Sequence, residues 1–230
     1  KGGAATPMES LVVDPSATVP SAGTPLVCRD FLYLGASTAI GSTYHAAVPG
    51  ATMDCQDGIY LSRHATVVTD GLGGHTPTST GPVRVAQATT GRLVTQLIEA
   101  IARTEARPAE FLRRHLHALL GMLDQAVASA LVARYPEKDR PEYVGEIPAR
   151  AAFVAVAHLS DGTVAFGVGD CTAHLFASGA DGHLRVVTFT PQPGQVAEID
   201  VGGLGDRSLR DEQIGIRHFP PGLIKRVVAG

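Results

Sequence analysis

The chain has 230 residues, of which 44% are hydrophobic, and a formal net charge of −3 at pH 7. This apolar content is ordinary for a globular protein with a substantial core. The slightly acidic balance and the scattered basic residues argue against a nucleic acid or an anionic membrane surface as partner. Continuous apolar runs stay well short of the roughly 18–20 residues that a membrane span needs. We therefore expect a globular protein with no nucleic-acid and no membrane partner.

Three cysteines, Cys28, Cys55 and Cys171, are spaced without any Cys-x-x-Cys pair. An odd number of separated cysteines favours free thiols in a reducing compartment over a disulfide framework. We therefore expect a cytoplasmic protein, and we also expect it to be a monomer.

The first part of the chain, residues 1–27, is rich in Pro, Ser, Thr and Gly. This composition predicts a loosely ordered lead-in, with room for an edge strand at the apolar residues 11–13. The range 28–230 is predicted to form one domain that opens with a strand at 31–40.

Strands are followed by two long helices in the next part of the chain. β-branched and alternating residues predict strands at 58–61 and 65–69, joined by a short polar turn. Helical spacing predicts helices over 82–104 and 108–134, and the short link between them makes them antiparallel neighbours. The residues that set this spacing are Val85, Leu93, Leu97, Ile98 and Ile101 in the first helix, and Leu112, Leu116, Leu119, Leu120, Leu123, Val127 and Leu131 in the second.

Hairpins return after the helices. The pair Asp161-Gly162 predicts a tight turn between strands at 152–159 and 163–168. Glycines within 179–182 predict the turn of a second hairpin, whose strands cover 173–177 and 184–190.

The last part of the chain is less regular. Periodicity is weak over 192–222, and a strand is predicted at 223–228. Because this strand pattern runs to the end of the chain, we expect the natural protein to continue past Gly230. Strands, then two helices, then hairpins predict an α+β fold rather than alternating βαβ units.

The most distinctive string is Val-Val-Thr-Asp-Gly-Leu-Gly-Gly-His at residues 67–75. In it an apolar strand ends at Asp70, and glycines follow at once. Two other aspartates have similar surroundings, since Asp57 enters the preceding strand and Asp170 follows Val-Gly after a hairpin strand. Paired strands would bring these carboxylates to one end of a sheet. Such an oxygen-rich site favours Mg²⁺ or Mn²⁺ over zinc.

An aspartate before glycine is also ordinary turn chemistry, so no single Asp-Gly pair identifies a site. We assign Asp161-Gly162 and Asp181-Gly182 to turns alone. The functional hypothesis rests on the other three aspartates taken together.

The ordered set of motifs resembles the metal-dependent protein serine/threonine phosphatases of the type-2C (PPM) family, and most closely their bacterial branch. The strings are Cys-Gln-Asp at 55–57, the glycine-rich string at 67–75, and Gly-Val-Gly-Asp-Cys-Thr-Ala-His-Leu at 167–175. Gly-Ala-Ser at 35–37 also looks like the opening of that branch. The two predicted helices lie between the second and third strings, as in the family. The resemblance spans about residues 31–230.

The resemblance implies a β-sandwich flanked by antiparallel helix pairs, in α-β-β-α layers, which lacks its C-terminal part in this chain. It also implies a centre of two or three Mn²⁺ or Mg²⁺ ions at one end of the sandwich. By position Asp70 would bridge two ions, Gly71 would offer its backbone carbonyl, and Asp57 would bind directly or through water. Asp170 would help to hold a third ion. Asp57 and Asp70 are the candidate catalytic residues.

The activity that the resemblance implies is hydrolysis of phosphoserine or phosphothreonine in proteins by metal-activated water, without a covalent enzyme intermediate. The implied partners are a phosphoprotein substrate and a cognate serine/threonine kinase.

The chain departs from the family pattern at three positions. The family has an aspartate in a Ser-Asp-Gly string after a late strand and another in a final Asp-Asn string, and this sequence has neither at those places. Asp206 and Asp211 are the substitutes to weigh, against ordinary surface aspartates. Many members hold phosphate with an arginine at the position of Thr52. The alternatives are therefore an inactive phosphatase-like binding module and a phosphohydrolase for small esters.

Overall fold

The computed structural model describes residues 11–12, 57–72, 80–135, 149–179, 181–193, 201–205, 207 and 209–229. These residues form antiparallel sheets and a pair of helices, the α+β arrangement that the sequence predicts. In chain order the elements are β1 (Leu11–Val12), β2 (Asp57–Leu61), β3 (Ala65–Leu72), α1 (Thr80–Thr104), α2 (Pro108–Arg134), β4 (Arg150–Leu159), β5 (Gly162–Val168), β6 (Ala173–Ser178), β7 (Leu184–Phe189), a short 3-10 helix (Asp211–Gln213), β8 (Ile214–Phe219) and β9 (Ile224–Ala229).

The strands form two stacked sheets. The six-stranded sheet has the order β1-β2-β3-β4-β5-β8, and the three-stranded sheet has the order β7-β6-β9. The helices pack on one face of the large sheet, and the small sheet packs on the other. Strand β4 separates two cores, since Phe153 faces the helices and Val154 faces the small sheet. The described layers are thus three of the four in the predicted sandwich.

Helix α2 occupies the predicted range, and the centre of its apolar stripe is buried. The stripe also contains Asp124, which is only 4% exposed and which the apolar pattern did not reveal. Its Oδ1 accepts hydrogen bonds from the backbone N–H of Gly205 at 2.7 Å and of Arg207 at 3.3 Å. A buried carboxylate therefore ties a distant loop to the helix.

Among the described residues, α2 is also the one helix long and apolar enough to cross a membrane, with 33% of its most apolar window buried. Leu112, Leu116 and Leu120 on its inner face are fully buried in the core against the large sheet. This packing is that of a core helix in a layered domain.

Helix α1 corrects the predicted apolar stripe. Val85, Leu93 and Leu97 are only half-buried. The face that packs against the sheet is fully buried and contains polar residues as well as apolar ones: Val83, Ala86, Gln87, Thr90, Val94 and Ile98. Periodicity based on apolar residues alone missed this face because Gln87 and Thr90 do not count toward it.

The predicted hairpins and the last strand are confirmed, with ends that differ by one or two residues, as expected for element boundaries. The edge strand in the lead-in is confirmed, because β1 pairs with β2. Strand β8 was missed within the weakly periodic range 192–222. It is an edge strand, and most of its side chains are exposed or half-buried, so it lacks a continuous apolar pattern. The strand predicted at 31–40 and most of the loop at 135–149 lie outside the described residues.

Candidate active site

Asp57 and Asp70 lie directly opposite each other on the antiparallel strands β2 and β3. Residues opposed in this way have Cβ atoms about 4.5–5.5 Å apart and share one face of the sheet. Both residues are half-buried. The prediction that paired strands bring these two carboxylates together is therefore confirmed.

One detail of the prediction was wrong. Strand β3 continues through Leu72, so Asp70 and Gly71 lie within the strand and do not follow its end. Gly71 is buried and pairs with Ala151 of β4, while Asp70 itself is paired on both sides, with Asp57 of β2 and Ala152 of β4. Central pairing of this kind fixes the Asp70 backbone more firmly than a loop would.

The carboxylate pair faces the space between the two sheets. Val68 and Leu72, two residues to either side of Asp70, both belong to the core between the sheets. Ile59, two residues after Asp57, packs against the same core. Because side chains alternate along a strand, Asp57 and Asp70 share the face that packs against the small sheet.

Asp170 approaches the same place from β5. Gly169 before it has φ +87°, and a Cβ there would lie 2.6 Å from the Ala152 Cβ and 2.6 Å from the Gly202 carbonyl oxygen. Ala152 is the partner of Asp70 across β3 and β4. Because Gly169 has no side chain, the turn that carries Asp170 packs against Ala152, the strand partner of Asp70. Asp170 itself is exposed.

The buried thiol of Cys171 is affected by the charges of all three carboxylates. Burial raises the pKa of this thiol well above its usual range. Nearby carboxylates raise that pKa further and are, in order of effect, Asp70, Asp170 and Asp57. A hydrogen bond with the Asp70 backbone acts in the opposite direction. The Cys171 thiol thus lies within electrostatic range of all three aspartates.

Arg150 lies on the same face of the sheet as Asp70, a placement that the motifs did not predict. It is 4% exposed and pairs with Leu72, two residues along the β3–β4 ladder from Asp70 and its partner Ala152. Directly opposed residues share a face, so Arg150 lies on the same side of the sheet as Asp70. The one sequence signal for it is a lone arginine at the start of an otherwise apolar strand.

The remaining predicted residues are placed as follows. Asp211 lies beside α2, where its Oδ1 is 2.8 Å from His117 Nδ1, so it is on the helix side of the large sheet. It therefore does not join the carboxylate pair. Asp206, Thr52 and the glycines that follow Leu72 lie outside the described residues.

A cavity of about 250 Å³ lies on that helix side of the sheet. His117, Asp124, Arg207 and Asp211 are among its lining residues. It is separate from the carboxylate pair, because neither Asp57 nor Asp70 lines it.

The donor set suits a hard divalent cation. Carboxylate oxygens are the ligands that Mg²⁺ and Mn²⁺ prefer, and Mg²⁺ commonly keeps several waters when only one or two carboxylates bind it. In the described part of the chain, no three His, Cys, Asp or Glu side chains form a compact metal-binding group. What the described residues offer is the opposed pair Asp57 and Asp70, with Asp170 close by.

No protein-family model and no characterised relative match this sequence. Similar solved structures exist. A bacterial serine phosphatase, solved as a point mutant, is 15% identical, with a TM-score of 0.46 over 76% of this chain and 64% of that protein. The serine/threonine phosphatase Stp1 of Staphylococcus aureus is 14% identical, with a TM-score of 0.48 over 76% of this chain and 69% of that protein.

The serine/threonine phosphatase PstP of Mycobacterium tuberculosis is 20% identical, with a TM-score of 0.42 over 62% of this chain and 51% of that protein. This chain thus spans about half to two thirds of the length of these proteins. All three are bacterial phosphatases.

Proposed function

We propose that this protein hydrolyses phosphoserine or phosphothreonine in phosphoproteins, with Mn²⁺ or Mg²⁺ as cofactor. The observation that carries the proposal is the register of β2 and β3, which sets Asp57 opposite Asp70 on the face toward the small sheet. The ordered motifs around Asp57, Asp70 and Asp170 support it. A serine/threonine kinase that makes the substrate is the implied partner.

Each residue of the candidate site has a proposed role. Asp57 and Asp70 would hold the divalent ions, Gly71 would add its backbone carbonyl, and Asp170 would contribute from the neighbouring turn. Divalent ions, when bound, would lower the pKa of a water molecule and neutralise phosphoryl oxygens. The fixed strand pair keeps the two carboxylates in place before substrate arrives, so little reorganisation is needed during reaction.

Arg150 is proposed to bind the phosphoryl group. A guanidinium presents several donors that match phosphate oxygens and stays charged at any working pH. Its position on the Asp70 face, two residues along the ladder, supports this role. It would supply the cationic group that many relatives place at the position of Thr52.

The proposal is tested by assaying a phosphothreonine peptide and p-nitrophenyl phosphate with Mn²⁺, using Asp70→Asn and the exposed turn variant Asp181→Asn. We expect metal-dependent hydrolysis by the wild-type protein, with a preference for the peptide, and a loss with Asp70→Asn only. Equal loss in both variants, or hydrolysis independent of metal, would contradict the proposal. A preference for the small ester would support the small-molecule phosphohydrolase instead.

The second candidate is an inactive phosphatase-like module that binds a phosphoprotein. Thr52, at the place of an arginine in many relatives, favours it. Calorimetric titration with Mn²⁺ separates the two functions, because binding at two sites supports the enzyme and the absence of binding supports the module.

A further inference from the structure

We infer that Gln87 of helix α1 is the positioning residue for the carboxylate pair, because it holds strands β2 and β3 together from the face opposite Asp57 and Asp70. Gln87 is fully buried and lies in the face of α1 that packs on the large sheet. The inference rests on the proposed function for its catalytic consequence. The claim that Gln87 holds β2 and β3 together does not depend on that function.

The side-chain amide of Gln87 joins both strands. Its Nε2 donates a hydrogen bond to the hydroxyl oxygen of Tyr60 on β2 at 2.9 Å and another to Thr69 Oγ1 on β3 at 2.6 Å. Both partners are buried hydroxyls, which donate as readily as they accept. The reversed amide would therefore bond the same two residues, so the link does not depend on how the amide is assigned.

The link lies next to the carboxylate pair. Thr69 precedes Asp70, Gly58 follows Asp57, and Thr69 and Gly58 are opposed in the ladder. The Thr69 hydroxyl also donates to the Gly58 carbonyl oxygen at 3.3 Å. Gln87 thus bonds to Thr69, one residue before Asp70, and to Tyr60, three residues after Asp57, and so acts on the aspartates through the strands that carry them.

Gly58 has no side chain because Gln87 fills that space. A Cβ at Gly58 would overlap the Gln87 side-chain amide and lie 2.9 Å from Thr69 Oγ1. The amide therefore packs directly against the backbone that carries Asp57. An outer residue of this kind fixes the orientation of the groups that bind a metal, and its loss commonly costs about 10–100-fold in metal affinity or activity.

The experiment compares Gln87→Met with Thr90→Val. Methionine keeps the length and volume of glutamine but makes no hydrogen bonds of this strength. Thr90 is equally buried on the same helix, and within the described residues its hydroxyl has no hydrogen-bond partner. The two variants therefore remove buried polar groups with and without a link to the strands. Thr69→Val removes the hydrogen bond between Gln87 and β3 from the strand side. It replaces Gln87→Met in the experiment if Gln87→Met does not fold.

Two readouts decide the outcome. Hydrogen exchange of the backbone amides of residues 57–59 and 68–70 should become at least about tenfold faster in Gln87→Met and Thr69→Val and stay unchanged in Thr90→Val. Mn²⁺ affinity and kcat should fall about tenfold in the same two variants, with KM for the phosphopeptide unchanged.

Unchanged exchange at both strand segments in Gln87→Met would overturn the inference, whatever the activity. If the wild-type protein binds no Mn²⁺, the proposed function fails, while the exchange measurement still decides the role of Gln87. Faster exchange with unchanged metal affinity would also overturn it, because the aspartates would then not depend on the link.

Discussion

Asp57 on β2 and Asp70 on β3 are direct partners across an antiparallel pair, and both point into the space between the two sheets. Two carboxylates at this separation repel each other unless a cation lies between them or one of them binds a proton. The strand pair is nevertheless held in register by β4, which pairs with β3, and by Gln87, which bonds to both strands on the helix face of the sheet. A fold that fixes two like charges side by side is the arrangement expected of a cation site.

The turn residue Asp161 should stabilise helix α2. Its Oδ1 and Oδ2 accept hydrogen bonds from the backbone N–H of Ala109 at 2.7 Å and of Glu110 at 3.2 Å, while Arg107 at the N-cap gives no side-chain cap. We expect Asp161→Ala to lower the free energy of unfolding by about 1–2 kcal/mol, as loss of an N-cap does. Denaturant unfolding measures the change.

Asp181 in the other Asp-Gly turn is the control for this effect. It is exposed and bonds only within its own hairpin in the described contacts, through His183 N–H and Arg185. Asp181→Ala should change stability by less than about 0.5 kcal/mol, as surface substitutions do. Equal effects of the two substitutions would show that Asp161 does not cap α2.

Gly169 should tolerate alanine less well than Gly182. Both have positive φ, +87° and +79°, so the backbone strain that alanine introduces is similar at the two positions. A Cβ at Gly182 meets nothing within 4 Å, whereas one at Gly169 meets Ala152 and the Gly202 carbonyl. We expect Gly182→Ala to cost about 1–2 kcal/mol and Gly169→Ala at least about 1 kcal/mol more. Thermal unfolding of the two variants measures the difference, and similar losses would mean that the turn before Asp170 is not packed as described.

Glu99 makes stability depend on pH. Burial acts to raise the pKa of its carboxyl, but hydrogen bonds from Ser62 and from the side chain and backbone of His64 outweigh it, so the pKa is lowered from its usual value of 4.5. A lowered pKa means that this stabilisation is present above the unfolded pKa and is lost as pH falls through the folded pKa.

The substitution Glu99→Gln tests this dependence. At pH 7 it should lower the free energy of unfolding by about 1–3 kcal/mol, the range for hydrogen bonds to a charged group. As pH falls below about 4.5, the difference between wild type and variant should shrink. Urea unfolding at pH values of about 7 and about 3.5 checks this, and a difference that grows toward low pH would contradict the assignment.

The sequence predicts elements best where one rule governs a segment. Helix α2 and the hairpin at Asp161-Gly162 follow directly from apolar spacing and turn chemistry. Strand β8 was not predicted because an edge strand has exposed side chains and needs little apolar surface. The buried face of α1 was not predicted because it contains Gln87, which is polar and makes its hydrogen bonds inside the core.

The site was predictable in part for the same reason. Local strings pointed to Asp57, Asp70 and Asp170, since each stands beside a strand and a glycine. The register that opposes Asp57 to Asp70 and brings Arg150 to the same face is a property of three strands together. No single segment carries that information. The roles of Asp57, Asp70, Gly71 and Asp170 as metal ligands stay predictions.

The most direct test of the central claim is a double-mutant cycle on Asp57 and Asp70, measured as kcat/KM for a phosphothreonine peptide with Mn²⁺. If the two carboxylates hold one metal centre, Asp57→Asn and Asp70→Asn should each cost at least about 100-fold, and the double variant should be no worse than the less active single variant by more than about threefold. Losses that multiply in the double variant, or an Asp57→Asn variant with wild-type activity, would contradict the claim that the pair acts as one site.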